Sequence, residues 1–406
     1  MDFQPLIKKS RIEVVDALRG FALLGVLMAN IPFADASFVV GKLDPLMNFL
    51  YHFLIDKKFI TIFSMLFGFG FYIQMQRAEA KNVDFTRYFS FRMLLLFAIG
   101  SLHAFIIWNG DILRAYAFGG IILMFIRKWP LKRLLTTALL FNIFLTSVFF
   151  IGNSALGWQI YNYDYALATE RVLTTSYFRY LVINAIMDPW VNFFKDMPIT
   201  LVFTFGNMLI GFILAKVDFF HSPKKLRNHT NWFIMLGLTL GLASSFIYYK
   251  IMVGDIELDL PMLWLPFVLV SGMILQSLMY VSVFVRLYQY KVLQKLLHFF
   301  TYVGKTALSN YILQSILYVL VFDHCGQTFQ LFGKLTIAQT FLFGILFFLF
   351  QTAISYMWLR KHTQGPLEFA WKKMSYQMAK PKNENTSNKN TTSFRHTIKQ
   401  HTTNTL

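Results

Sequence analysis

The stretch Ile99–Gly120, IGSLHAFIIWNGDILRAYAFGG, sets His103, Trp108, Asp111, Arg114 and Tyr116 among two apolar runs. The link between the runs, Asn109-Gly110, is too short to hold a folded domain, so the segment reads as a membrane hairpin with an ionisable cluster at its tip. A charged group inside a span costs about 2.5–3.5 kcal/mol on insertion scales, which makes such groups functional candidates. Asp111 and Arg114, three residues apart, can also simply pair with each other at the interface.

The rest of the chain fits that reading. Of 406 residues 56% are hydrophobic and only 14% charged, with a mean hydropathy of +0.50; a soluble domain carries about 25% charged residues. The expected fold is all-α, a polytopic membrane protein of about ten transmembrane helices near 15–34, 58–76, 92–109, 111–127, 134–152, 197–216, 232–250, 262–285, 304–323 and 336–358. Lys8, Lys9 and Arg11 before an apolar run mimic a signal peptide. That run carries Asp16 and Arg19 and is long enough to span, so it reads as an uncleaved first helix. The single cysteine, Cys325, allows no intrachain disulfide and no cysteine-based metal site, and no metal is expected.

A net charge of +18 raises the question of nucleic acid. With both termini placed in the cytoplasm, 28 of the 38 basic residues fall on the cytoplasmic side, the positive-inside bias. The partner is therefore the lipid bilayer, and no nucleic acid is expected. The long external segment near 153–196 is rich in Tyr and Trp, which predicts one or two helices along the outer surface. Past the last span, Pro366 suits a first helical turn and Leu367, Ala370, Trp371 and Met374 share a face, predicting a short amphipathic helix on the inner leaflet. From about Lys380 the chain is polar and expected to be disordered.

Several polar residues inside the spans need a reason. Asp16 and Arg19 can pair near the cytoplasmic end of the first span, and Asn30 lies about 16 Å further along it. Lys58 shares a face with Thr61 and Met65, whereas Ser64 points elsewhere; Lys58 could simply snorkel to the outer headgroups. His103 follows Gly100, which lets a neighbour approach where the imidazole emerges, and an imidazole suits proton transfer as well as a structural hydrogen bond. Thr306, Asn310 and Gln314 form a stripe at steps of four, and Gln351 and Ser355 repeat the spacing; such stripes make interhelical hydrogen bonds or, less commonly, line a cavity. None of the short catalytic motifs occurs.

Motifs in order along the chain resemble the YeiB family of bacterial membrane proteins. They are Asp16-Ala17-Leu18-Arg19-Gly20-Phe21-Ala22, Lys58-Phe59 with Phe63-Ser64-Met65-Leu66-Phe67-Gly68, and His103 through Trp108-Asn109-Gly110-Asp111 to Tyr116-Ala117. Gly304-Lys305-Thr306-Ala307-Leu308-Ser309-Asn310-Tyr311 with Gln314, and Gly365-Pro366-Leu367-Glu368, resemble the domain of unknown function that closes those proteins. The resemblance divides the chain into N-terminal acyltransferase-type helices (1–133), middle helices (134–230), the closing domain (231–376) and a tail (377–406).

It also implies the bacterial cytoplasmic (inner) membrane and a kinship with transmembrane acyltransferases. Those take an acyl group from acyl-CoA, such as acetyl-CoA, as a passing donor and deliver it to a glycan or lipid-linked acceptor. Their first helix carries an Arg and then a catalytic His. Here Arg19 matches, and Asn30 stands where that His would be. The base would then be His103 or His52, with Asp111 orienting it or the acceptor, Lys58 or Trp108 touching the acceptor, and Arg19 holding the donor. Ser64 and Tyr116, in the same motifs, and Asn30, Asn310 and Gln314 are further candidates for substrate binding. A competing expectation is a small-molecule transporter or permease whose path is lined by Asp16, Arg19, Asn310 and Gln314; a third is a membrane scaffold without catalysis.

Overall fold

A computed structural model describes residues 13–31, 41–80, 84–154, 164–191, 193–219, 223–256 and 263–379. The expected disordered tail, the basic N-terminal residues before 13 and the acidic end of the loop before Pro261 lie outside the described residues. Among those described, every regular element is helical. In chain order they begin with α1 (Glu13–Asn30), α2 (Asp44–Leu50), a π-helical turn (Tyr51–Ile55), α3 (Lys58–Glu79), α4 (Phe85–Leu102) and a second π-helical turn (His103–Ile107). Next come α5 (Leu113–Ile126), α6 (Leu131–Leu139), α7 (Thr146–Ser154), α8 (Tyr165–Leu173), α9 (Tyr177–Ile186) and α10 (Phe193–Lys216). The chain continues with α11 (Pro223–Leu236), α12 (Leu242–Met252), α13 (Leu265–Leu287), α14 (Lys291–Leu297), α15 (Phe299–Lys305), α16 (Ala307–Val321), α17 (Ile337–Leu359) and α18 (Pro366–Ala379).

Six helical runs are long and apolar enough to cross a membrane: Asp44–Glu79, Phe85–Ile107, Leu131–Gly152, Asn228–Met252, Leu265–Leu287 and Ile337–Leu359. Three apolar helices are shorter, Leu113–Ile126, Thr200–Lys216 and Ala307–Val321. The chain is therefore polytopic by length and composition. One boundary differs from the sequence expectation. The run that ends at Glu79 reaches back to Asp44, because the π turn and a tight bend at Asp56-Lys57 join α2 to α3. Lys57 takes a left-handed backbone there, φ 65°.

The core is a set of helices around α1. Helix α1 crosses α15 at very short range, since a Cβ on Gly304 would lie 1.7 Å from the Asp16 carbonyl oxygen and one on Gly20 would lie 2.0 Å from that of Phe300. Such small-residue contacts replace the hydrophobic drive that lipid cannot supply between helices. The polar stripe of α16 faces α17. Asn310 Nδ2 donates to Ser355 Oγ at 2.8 Å, Gln351 Nε2 donates to the Asn310 carbonyl at 3.0 Å, and Gln314 Nε2 donates to Gln351 Oε1 at 3.1 Å.

Two short helices, α8 and α9, fill part of the Tyr- and Trp-rich segment. Helix α18 forms where the sequence places it, with Pro366 in its first turn. It docks on the bundle: Leu367 and Trp371 pack against the core and Trp371 Nε1 donates to the Arg92 carbonyl at 2.7 Å, while Ala370 and Met374 stay exposed.

Replacing Gly304 with Ala forces α1 and α15 apart and should destabilise the detergent-solubilised protein by about 1–3 kcal/mol. Phe125→Leu, at a side chain 79% exposed, should leave the unfolding temperature where it is. An unchanged Gly304→Ala protein would remove this crossing from the account of the fold.

Candidate functional site

The hairpin tip is organised by one carboxylate. Asp111 is buried, and its Oδ1 accepts from the backbone N–H of Arg114 at 3.0 Å and from Arg114 Nε at 3.2 Å. Its other oxygen lies 3.0 Å from His103 Nδ1. Nδ1–H can donate to this oxygen, and in that tautomer the neutral ring carries its lone pair on Nε2. That Nε2 is buried and has no hydrogen-bond partner among the described residues. Buried polar atoms are seldom left this way, and one that is needs a reason. Gly100 makes room for the hub, since a Cβ there would sit 2.7 Å from Asp111 Oδ1.

Arg114 bridges to a second carboxylate that the sequence reading did not single out: its Nη1 lies 2.8 Å from Asp188 Oδ2. The π turn bearing His103 frees carbonyls that water cannot reach in lipid. Side chains of α9 bind them. Tyr177 Oη donates to the Ile106 carbonyl at 2.7 Å, Tyr180 Oη to that of Ile107 at 2.5 Å, and Asn184 Nδ2 to that of Phe105 at 3.4 Å. Arg171 in turn donates to Tyr180 Oη at 2.7 Å and to Asp323 Oδ2 at 3.1 Å. Nearby Cys325 is half-buried, and burial, helped by the charge of Asp323, pushes its thiol up to about 11. That shift disfavours the thiolate, the nucleophilic form.

Two cavities meet at Tyr311. The larger, about 510 Å³, is lined by Asp16, Arg19, Tyr116 and Tyr311 among others. Along α3 it runs from Arg77 to Phe63, fourteen residues or about 21 Å. One end is basic, with Arg77, Arg92, Lys305 and Lys372; the other is apolar and aromatic, with Phe63, Phe67, Leu96 and Leu113. The smaller cavity, about 20 Å³, is lined by Asn30, Trp108, Tyr311 and Gln314 with apolar neighbours. That volume admits about one water. The Tyr311 ring lies 5.2 Å from the His103 ring, and among the described residues its hydroxyl makes long contacts, 3.4 Å from the Ile112 N–H and 3.5 Å from the Gly110 carbonyl.

The sequence candidates therefore divide. Asp16 and Arg19, paired at 2.7 Å, share the chamber with Tyr116. Asn30, Trp108 and Gln314 share the small cavity. His103, Asp111, Lys58, Ser64 and Asn310 line neither. Ser64 Oγ and Tyr116 Oη lie 3.0 Å apart; because Ser64 already donates to the Ile60 carbonyl, Tyr116 is the donor.

Lys58 belongs to a different cluster, at the bend before α3. Its Nζ donates to the His52 carbonyl at 2.6 Å and sits 5.5 Å from the Tyr248 ring centroid. Tyr248 Oη donates to Asp56 Oδ2 at 2.7 Å, and His52 Nδ1 is 3.7 Å from the same oxygen. No group of three or more His, Cys, Asp and Glu side chains with metal-holding geometry occurs among the described residues.

Comparison with known proteins adds the following. Residues 214–378 match the family model described as a protein of unknown function (DUF418). The chain is 31% identical over 409 residues to uncharacterized protein YxaH of Bacillus subtilis (strain 168), an alignment that covers 92% of this chain and 96% of the relative. It is 27% identical over 390 residues to an uncharacterized 39.9 kDa protein in the amylase 3′ region of Bacillus acidopullulyticus, covering 92% and 96%. It is 26% identical over 404 residues to uncharacterized protein YeiB of Escherichia coli (strain K12), covering 93% and 99%. No solved structure matches.

Removing the Asp111 carboxylate strands both His103 and Arg114 in a buried place. Asp111→Ala should cost about 3–5 kcal/mol of stability, read by thermal unfolding in detergent. The exposed pair Arg179–Glu170, 2.7 Å apart, serves as control, and Arg179→Ala should not move the transition.

Proposed function

Because the chain belongs to the family of YxaH and YeiB, we propose that it is a multi-pass protein of the bacterial cytoplasmic membrane that transfers an acyl group from acyl-CoA to an acceptor of the cell envelope. The bundle would cross the bilayer with ten spans, α1 and the three shorter apolar helices included, and with both termini in the cytoplasm. The distribution of basic residues supports that orientation. The observation that carries the activity is a buried His–Asp pair with an open Nε2, one aromatic ring away from a basic, elongated chamber.

In this reading the donor enters the chamber from the cytoplasm. Its thioester carbonyl comes to rest at the far end, beside Tyr116 and Tyr311. His103 Nε2 accepts the proton of an acceptor hydroxyl, and the hydroxyl oxygen bonds to the thioester carbon. As the carbon–sulfur bond breaks, the departing thiolate takes that proton from His103. Asp111 holds the imidazole in the required tautomer and stabilises its cationic form, while Arg114 fixes the position of the Asp111 carboxylate. The proton transfer requires Tyr311 to move aside, and its two long hydroxyl contacts offer little resistance. Asn30 then contributes an amide to the acceptor side instead of a base.

The common position of Tyr311 in both cavity walls also supports a second reading, a permease in which Tyr311 separates two half-paths.

Purified protein should be stabilised thermally by acetyl-CoA or a longer acyl-CoA, by several degrees at saturating ligand. His103→Ala should keep that stabilisation and lower acyl transfer to an envelope extract by a factor of about 10² or more. No stabilisation by any acyl-CoA, or full transfer by His103→Ala, overturns the reading. Uptake of a small solute by proteoliposomes that contain no acyl donor would favour the permease.

A further inference from the structure

The basic end of the chamber has more positive charge than its own carboxylates can balance. Two acidic side chains line it, and both are engaged: Asp16 with Arg19 at 2.7 Å, and Glu368 with the first turn of α16. Glu368 accepts from the backbone N–H of Leu308 at 2.6 Å and of Ser309 at 3.1 Å, and from Ser309 Oγ at 2.6 Å. That leaves Arg92, Lys305 and Lys372 without a carboxylate within ion-pair distance among the described residues.

Arg92 is the telling member. Its guanidinium carbon lies 3.5 Å from the centroid of the Trp371 ring, Nη1 donates to Tyr88 Oη at 3.3 Å, and Nε is buried without a hydrogen-bond partner. Arg92 is half-buried at the chamber wall, and a buried N–H donor left open is costly unless an acceptor, such as an anion in the chamber, completes it. Stacking on the indole fixes the plane of the guanidinium, and a fixed planar fork matches the oxygens of a phosphate. The brace is mutual, because Trp371 Nε1 donates to the carbonyl of Arg92 at 2.7 Å. Helix α18 thus supplies Glu368, Trp371 and Lys372 to one wall of the chamber and is tied to the residue it presents.

We propose that this end of the chamber is a phosphate subsite, in which Arg92, Lys305 and Lys372 hold the phosphoryl groups of an amphipathic ligand whose remaining length lies along α3 towards Phe63. The inference takes the chamber to be the ligand site, as above, but does not need acyl transfer. The phosphoryl groups can belong to a soluble nucleotide-like donor or to an anionic lipid headgroup.

The full chain in phosphatidylcholine nanodiscs, titrated calorimetrically with adenosine 3′,5′-bisphosphate, tests it. Binding should weaken as salt rises, drop by at least tenfold in Arg92→Gln and by several-fold in Lys372→Gln. Lys372 is exposed on α18, so that variant does not threaten the fold. A fall in bisphosphate affinity when phosphatidylglycerol is added assigns the subsite to lipid headgroups, and an unchanged affinity assigns it to a soluble ligand. Equal affinity for adenosine and its bisphosphate, or unaltered binding in both variants, overturns the subsite. The two proposals fail separately. Arg92-dependent bisphosphate binding in a protein that transfers no acyl group rejects only the enzyme, whereas transfer from S-acetylpantetheine as fast as from acetyl-CoA rejects only the phosphate subsite.

Discussion

A helix that breaks inside an apolar slab releases carbonyl groups, and no water is at hand to bind them. The chain breaks its helices in this way at two points that matter, the π turns at Tyr51–Ile55 and His103–Ile107. Each is completed by donors from elsewhere in sequence. At the first, Gln276 and Tyr280 of α13 bind the carbonyls of Phe53 and Leu54, at 2.9 and 3.1 Å, beside the bond from Lys58 to His52. At the second, α9 does the same for Phe105 to Ile107. The need to satisfy these carbonyls ties distant segments together and so fixes where the ionisable side chains next to each break can lie. Lys58 and His103 are both placed by this rule.

The consequence for charge is a division of labour. At the hairpin tip Arg114 is shared between Asp111 and Asp188, and Asp111 in turn holds the His103 imidazole. At the other end of the chamber cations outnumber the acids available to them. A ligand that is anionic at one end and reactive at the other would see complementary potential along its whole length. Tyr311 lines the chamber and packs against the imidazole.

Much of this was legible in residues, and what was not has identifiable causes. The hairpin, the pairs Asp16–Arg19 and Asp111–Arg114, and the facing stripes of α16 and α17 follow from spacing alone, because partners three or four residues apart share a helix face. Helix α18 was announced by Pro366 and its apolar positions. Its docking was not, because Leu367 and Trp371 would suit a lipid surface equally well. Asp188 lies 74 residues from Arg114 in the chain, and Asp323 lies 152 from Arg171, so no periodicity connects them. In the sequence Arg92 is one of the 28 basic residues that fall on the cytoplasmic side, and spacing cannot say which cation of a cluster lacks an acid. The backward reach of the second apolar run was hidden by His52, Asp56, Lys57 and Lys58, which look like the end of a span and instead form a bend within one continuous helical run.

The crossing of α1 over α15 bears on how such a chain can change over time. The region matched by the family model begins at residue 214, inside α10, and contains α15 and α18. Yet Gly304 within it fits only against Asp16 of the first helix, and the wall it gives to the chamber is closed by α3 and α4. The matched region therefore packs as one body with the helices that precede it. Gene fission, shuffling or fusion at that boundary would separate the two faces of one crossing and the two walls of one chamber. A change on one face of the crossing is therefore felt on the other, whichever side of residue 214 it falls.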